Sequence, residues 1–244
     1  MGTLYVIATP IGNLEDVTHR AVRILGEVDA LACEDTRHTP KILARYNIPR
    51  PPRMFSYHEH NEERAGERIL ALLEEGLSVA LCTKAGFPGV SDPGYRIVSR
   101  ALDRGFRVEV LPGAGAVEAA LLASGLPTSS YTFKGFPPKK PGRRKQFLEM
   151  ERDRPHTLVL FESPYRVGKL LADARAVLGD RMAAVCVELT KKFERVDRGF
   201  LSDLCRRFRD VKVKGEVAVV IAGNHPKFLR GEQHGPATMS AQES

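Results

Sequence analysis

The stretch Leu4-Tyr5-Val6-Ile7-Ala8-Thr9-Pro10-Ile11-Gly12-Asn13-Leu14 decides how this chain is read. Its uninterrupted apolar start fits a strand buried on both faces, not one with a wet side. The Pro-Ile-Gly-Asn turn stops that strand. Val17, Ala21, Ile24, Leu25 and Val28 then recur at helical spacing, with Asp16 as the candidate N-cap. Strand, glycine turn and helix predict the first unit of a parallel, helix-covered sheet.

Working outward, the alternation continues. Apolar runs at 30–33, 79–83 and 107–111 read as further strands. Ile69, Leu72 and Leu73 mark a second helix, and Ile97, Val98, Ala101 and Leu102 a third. Pro112-Gly113-Ala114-Gly115-Ala116 then opens an Ala/Leu-rich helix, and the domain boundary is placed there. Residues 1–113 form an N-terminal α/β domain and residues 114–223 a C-terminal α/β domain. The latter shows strands at 131–133, 157–161, 183–189, 195–199 and 216–222, with helices near 143–150, 167–178 and 201–209. The consecutive strands 183–189 and 195–199 suggest a hairpin. The expected fold class is α/β, with a mainly parallel N-terminal sheet and a mixed C-terminal sheet. Residues 224–244, rich in Gly, Pro, Ser and Gln, read as a disordered tail.

Thirty-seven Lys and Arg against thirty Asp and Glu give +7, a balance that favours anionic partners such as nucleic acid. Cys33, Cys82, Cys186 and Cys205 are scattered and form no C-x-x-C pair, which argues against a disulfide framework or a zinc site. Neither a basic leader nor a membrane-length apolar run is present, so a soluble, cytoplasmic protein is expected, with no membrane partner. Walker and G-x-G-x-x-G patterns are absent, which removes the main support for nucleotide hydrolysis and nicotinamide binding.

Three glycine-bearing loops, 9–13, 84–89 and 112–116, follow three strands of the first half. Glycine lets a backbone approach a ligand closely and leaves amides free to bond it. Gathered at one sheet edge, the three loops predict a crevice. Glu34-Asp35-Thr36-Arg37-His38 ends the second strand. Such residues can cap a helix, and they also suit a site that orients a hydroxyl. In Tyr57-His58-Glu59-His60-Asn61 no third metal ligand is identifiable, so substrate contact or plain solvation is the reading and no metal is expected. The densest basic stretch runs from Lys134 to Lys145, with Phe133 and Phe136 interleaved. Cations hold phosphates and rings stack on unpaired bases, so Lys139, Lys140, Arg143, Arg144 and Lys145 are candidate RNA contacts. Arg206, Arg207, Arg209, Lys212 and Lys214 form a second candidate patch.

Seven blocks in order resemble the tetrapyrrole-methylase superfamily: residues 7–14, Cys33-Glu34-Asp35-Thr36-Arg37, residues 83–94, L-P-G-A-G-A at 111–116, F-E-S-P-Y-R at 161–166, E-L-T-K at 188–191 and K-G-E at 214–216. The branch they are most similar to methylates a ribose 2′-hydroxyl of a cytidine in 16S rRNA. The resemblance implies a two-domain class III methyltransferase that folds S-adenosyl-L-methionine into the cleft between its domains. It implies cofactor contacts from Pro10, Ile11, Gly12, Gly86, Phe87, Val90, Gly113, Ala114, Gly115, Ala116, Phe161, Leu189, Gly215 and Glu216. It further implies the small ribosomal subunit as partner and a homodimer. Glu34, Asp35, Arg37 and His58 are the catalytic candidates; a carboxylate or a histidine could take the hydroxyl proton. Where the family usually has S-D-A-G-T-P, this chain has Thr83-Lys84-Ala85-Gly86-Phe87-Pro88, and longer members carry a C-terminal helical segment past its end. The rival readings are a tetrapyrrole or corrinoid C-methyltransferase and a non-catalytic RNA-binding relative of the same fold.

Overall fold

The opening strand, β1 (Thr3–Ile7), lies within a five-stranded sheet with β2 (Ala30–Cys33), β3 (Arg53–Ser56), β4 (Val79–Cys82) and β5 (Arg107–Leu111), in the order β3-β2-β4-β1-β5. The structure is a computed structural model that describes residues 2–37 and 39–230. All four pairings of this sheet are parallel. Alternate side chains supply two cores. Leu4, Val6, Val79 and Leu81 pack with α3 (Glu62–Glu74) and α4 (Tyr95–Asp103), while Ile7, Leu31, Ala80 and Cys82 pack with α1 (His19–Glu27) and α2 (Thr39–Arg45). Burial on both faces is the reason the strands read as continuous apolar runs.

One local expectation needs correction, and two elements lie outside the sequence reading. The N-cap of α1 is Thr18, whose hydroxyl accepts from Ala21 N at 3.1 Å. Asp16 instead ends a separate turn of 3₁₀ helix, Leu14–Asp16, capped by Asn13. Strand β3 and helix α2 give no clear periodic signal, because each is short and offers few buried residues: Phe55 in β3, and Thr39, Ile42 and Leu43 in α2.

The second sheet contains β6 (Tyr131–Phe133), β7 (Thr157–Glu162), β8 (Met182–Val187), β9 (Arg195–Phe200) and β10 (Val217–Ile221), in the order β6-β7-β10-β8-β9. The β6–β7 pair is parallel and the β7–β10 pair antiparallel, so the sheet is mixed. Strands β8 and β9 are neighbours within it. Helices α5 (Ala116–Ser124), α6 (Pro141–Glu149), α7 (Val167–Leu178) and α8 (Leu201–Phe208) complete the described elements longer than a single turn.

The chain divides into two compact units, Met1–Ala123 with Cys186–Arg195, and Ser124–Val185 with Val196–Ser244. The start of the expected tail is structured. Arg230 N donates to Asp180 O at 2.9 Å, and the Arg230 guanidinium binds Asp203 and lies over the Phe200 ring. One aromatic and two acidic partners, distant in sequence, hold residues that composition alone leaves unstructured. Residues 231–244 lie outside the described residues.

Candidate functional site

Parallel strands deliver their following loops to one edge, so the loops after β1 to β5 share the carboxyl side of the first sheet. Strand β1 leads to α1 in one core, and its neighbour β4 leads to α4 in the other. The chain therefore leaves these adjacent strands in opposite directions, the arrangement that in open α/β sheets favours ligand binding outside their carboxyl ends. Here Thr9 and Gly86 exchange both backbone hydrogen bonds at 2.9 Å, and Thr9 Oγ1 donates to Thr83 O at 3.2 Å.

Small residues let the third loop join. A Cβ on Gly86, which has φ +75°, would stand 3.6 Å from Ile11 Cγ2 and 3.9 Å from Ala114 O. A Cβ on Gly113 would come within 2.9 Å of Ala8 Cβ, and one on Gly115 within 3.9 Å of the Phe87 ring. Pro10, Ile11, Gly12, Gly86, Phe87, Gly113, Ala114, Gly115 and Ala116 thus belong to one set of converging loops. Val90 lies further along the second loop and is exposed, its amide donating to Phe87 O.

The E-L-T-K turn clusters with this first unit. Asn13 N donates to Thr190 Oγ1 at 3.1 Å, and Gly12 has no room for a Cβ against Lys191, Thr190 and Leu189 O. Glu188 and Thr190, flanking Leu189, both hold left-handed backbone, φ 53° and 64°. Side-chain bonds support that costly geometry: Lys191 Nζ to Glu188 Oε1 at 2.8 Å, and Thr190 N to Glu194 Oε2 at 2.6 Å. The other three cofactor candidates lie in the second unit. Phe161 stands between Phe133 and Phe136, at 4.8 and 5.7 Å, Gly215 holds φ +91°, and Glu216 is exposed just before β10.

At the same edge of the first sheet, Tyr57 N donates to Cys33 O at 2.9 Å. That bond carries the β2–β3 pairing one residue further and sets Glu34-Asp35 beside Tyr57-His58. Glu34 Oε2 accepts the amide of Lys84 at 2.9 Å, tying the acidic loop to the glycine loop, while the Lys84 side chain is exposed. Asp35 Oδ1 accepts Arg37 N at 2.8 Å and Nε at 3.1 Å, and this partner raises the affinity of the exposed Arg37 guanidinium for its proton. His58 N is held by Asn61 Oδ1, and His58 Nδ1 is buried with no hydrogen-bond partner among the described residues. Beside it, the buried Tyr57 hydroxyl donates to Glu62 Oε1 at 2.9 Å; burial, then that carboxylate, push the phenol pKa far up. Sequence reasoning missed the Tyr57–Glu62 contact, for which the spacing of five residues gives no periodic signal.

In the basic stretch Lys139, Lys140, Arg143 and Lys145 are exposed, but Arg144 is not. Arg144 is 2% exposed, with Nε 2.8 Å from Asp173 Oδ2 and Nη1 donating to Lys139 O. It joins α6 to α7 and cannot be a surface RNA contact; its place on the inner face of α6 overrides its charge. In the second patch Arg206 pairs with Asp203, and Arg207 with Asp197.

The sequence matches the family model described as Tetrapyrrole (Corrin/Porphyrin) Methylases over residues 3–205. It is 46% identical to a ribosomal RNA small subunit methyltransferase I of Halalkalibacterium halodurans, over 93% of this chain and 78% of that protein. Identity to the Bacillus subtilis protein of the same name is 41%, over 100% and 82%. Among solved structures, a uroporphyrin-III-C-methyltransferase from Thermus thermophilus is similar with a TM-score of 0.65 at 22% identity, covering 91% of this chain and 94% of that one. A diphthine synthase gives 0.66 at 16%, covering 91% and 90%. These two likenesses show the fold.

Proposed function

The chain belongs to the tetrapyrrole methylase family and, within it, to the ribosomal RNA small subunit methyltransferase I family, and from that premise we propose that it uses S-adenosyl-L-methionine to methylate the 2′-hydroxyl of a cytidine in 16S rRNA. The observation that carries the reading is the convergence of three glycine loops beside a polar cluster at one sheet edge. The chemistry that the bound cofactor supplies is an electrophilic methyl group on a sulfonium centre. The residues fit such a ligand: residues 10–12, Gly86 and 113–116 are mostly Gly and Ala, so the converging loops present little side chain to obstruct it. Phe87 adds an apolar ring beside Gly115. Lys84 meets the site through its backbone, so its charge stays in solvent and leaves the sulfonium unopposed.

Methyl transfer to a ribose oxygen needs in-line placement of the hydroxyl and removal of its proton. Glu34 spends one carboxylate oxygen on Lys84 N and keeps Oε1 for the hydroxyl. Asp35 is committed to Arg37, which fixes the turn and presents a guanidinium that suits a neighbouring phosphate. His58, which the β2–β3 register sets beside this pair, is the group we assign to receive the proton. Lys139, Lys140, Arg143 and Lys145 hold other phosphates of the RNA. We place the reaction in the cytoplasm and expect a homodimer, which size-exclusion chromatography with light scattering tests.

The deciding experiment incubates the full chain with methyl-labelled cofactor and 30S subunits from a strain lacking this gene. Label in 16S rRNA, mapped by mass spectrometry to one 2′-O-methylcytidine, is the expected result. Transfer to a tetrapyrrole carbon instead, or label on a base, overturns it.

A further inference from the structure

Beside the glycine loops, the first unit carries a groove walled by residues 12–15, Arg45 and residues 190–192. Its floor is fixed without any ligand. Tyr46 donates its hydroxyl to Leu14 O at 2.6 Å, and Asn13 N donates to Thr190 Oγ1 at 3.1 Å. A groove held in this way does not have to be ordered at the moment of binding. Its charge is lopsided: Arg45, Lys191 and Lys192 face one carboxylate, Glu15, which lies 3.9 Å from Arg45 and is exposed. Glu188 engages Lys191 at 2.8 Å, whereas the exposed Glu15 reaches Arg45 only at 3.9 Å, so Arg45 and Lys192 are the cations placed to meet an anion. Lys192 Nζ lies 5.7 Å from the centroid of the Phe193 ring, which is 75% exposed although it is large and apolar.

Cations beside an exposed ring match what a single-stranded nucleic acid presents, namely phosphates and unstacked bases. The groove shares Gly12 with the first glycine loop, so a strand lying in it passes next to the converging loops. We propose that this groove is a second RNA subsite. Arg45 and Lys192 take backbone phosphates of a single-stranded segment next to the target nucleotide, and Phe193 stacks one of its bases. The inference rests on the RNA-substrate reading above and extends it to residues outside the cofactor loops and the basic loop of the second unit.

The test uses the full chain carrying Arg45→Gln with Lys192→Gln, and separately Phe193→Leu and Phe193→Tyr. Each is titrated with small-subunit rRNA and with 30S subunits across salt, alongside S-adenosylhomocysteine as a folding and cofactor control. The double charge variant is expected to bind rRNA more weakly, with a log–log salt slope reduced by about 0.7 for each phosphate no longer held. Phe193→Leu should weaken binding about tenfold with the slope unchanged, and Phe193→Tyr should restore it. Wild-type affinity and slope in all variants would overturn the subsite while the methyltransferase reading stands. A wild-type chain that binds neither rRNA nor 30S subunits would sink the RNA reading itself. Weakening seen with 30S subunits but not with naked rRNA would give the groove to a ribosomal protein and also overturn the proposal.

Discussion

Gly12 shows how much one hydrogen atom in place of a methyl can decide. A Cβ there would fall against Lys191 Cγ, 2.7 Å from Thr190 Oγ1 and 3.0 Å from Leu189 O, and the last of these is backbone that cannot rotate away. Gly12→Ala is therefore expected to cost about 1–3 kcal/mol of stability by overpacking, and to weaken S-adenosylhomocysteine binding in calorimetric titration. Arg144 carries the opposite lesson. Its charge suggests RNA, but its guanidinium is buried against Asp173 and the Lys139 carbonyl. Arg144→Met leaves Asp173, itself mostly buried, without its main partner, and a loss of about 3 kcal/mol in denaturant unfolding is expected, with the rRNA salt slope unchanged. Composition could not separate Arg144 from Arg143. Only the helix places one inward and the other outward.

Elements carry the next level of specification. The opening strand and turn were legible because burial on both faces writes itself as an unbroken apolar run, and because a glycine turn has few substitutes. Strand β3 was not, since it lies at the sheet edge and buries only Phe55. The loop before α6 and the start of that helix lend themselves to a charge test. Lys139→Gln, Lys140→Gln and Arg143→Gln together should flatten the salt dependence of rRNA binding by about 0.7–0.9 for each phosphate they would otherwise hold. An unchanged slope would mean that these side chains are only solvated. The starts of β2 and β4 are joined by Asp29, whose carboxylate accepts Ser78 N at 2.8 Å and also its hydroxyl, and these bonds hold its pKa below the ordinary 3.8. Because the folded pKa is the lower one, this stabilisation is complete above the unfolded value and is lost as pH falls through the folded value. Ser78→Ala should thus move the acid-unfolding midpoint upward and leave the difference from wild type constant near neutrality.

For the molecule as a whole, a ligand that binds only the folded chain must stabilise it. A hundredfold excess of S-adenosylhomocysteine over its dissociation constant should add about 2.7 kcal/mol, read as a rise in melting temperature, and no rise at millimolar ligand would contradict the cofactor reading. The α/β class, the strand–helix alternation, the parallel first sheet and the mixed second one were all legible in the residues, because each rests on local periodicity and turn chemistry. The ordered motifs also carried the family. Which distant residues meet was settled by the folded chain. Folding bonded Glu34 to the Lys84 amide, set His58 in register with the acidic pair, and closed the E-L-T-K turn onto Gly12. It also withdrew Arg144 from the surface. The physical reason is that periodicity is a short-range signal along the chain, whereas sheet register, helix rotation and close backbone approach are settled by packing among segments far apart in sequence.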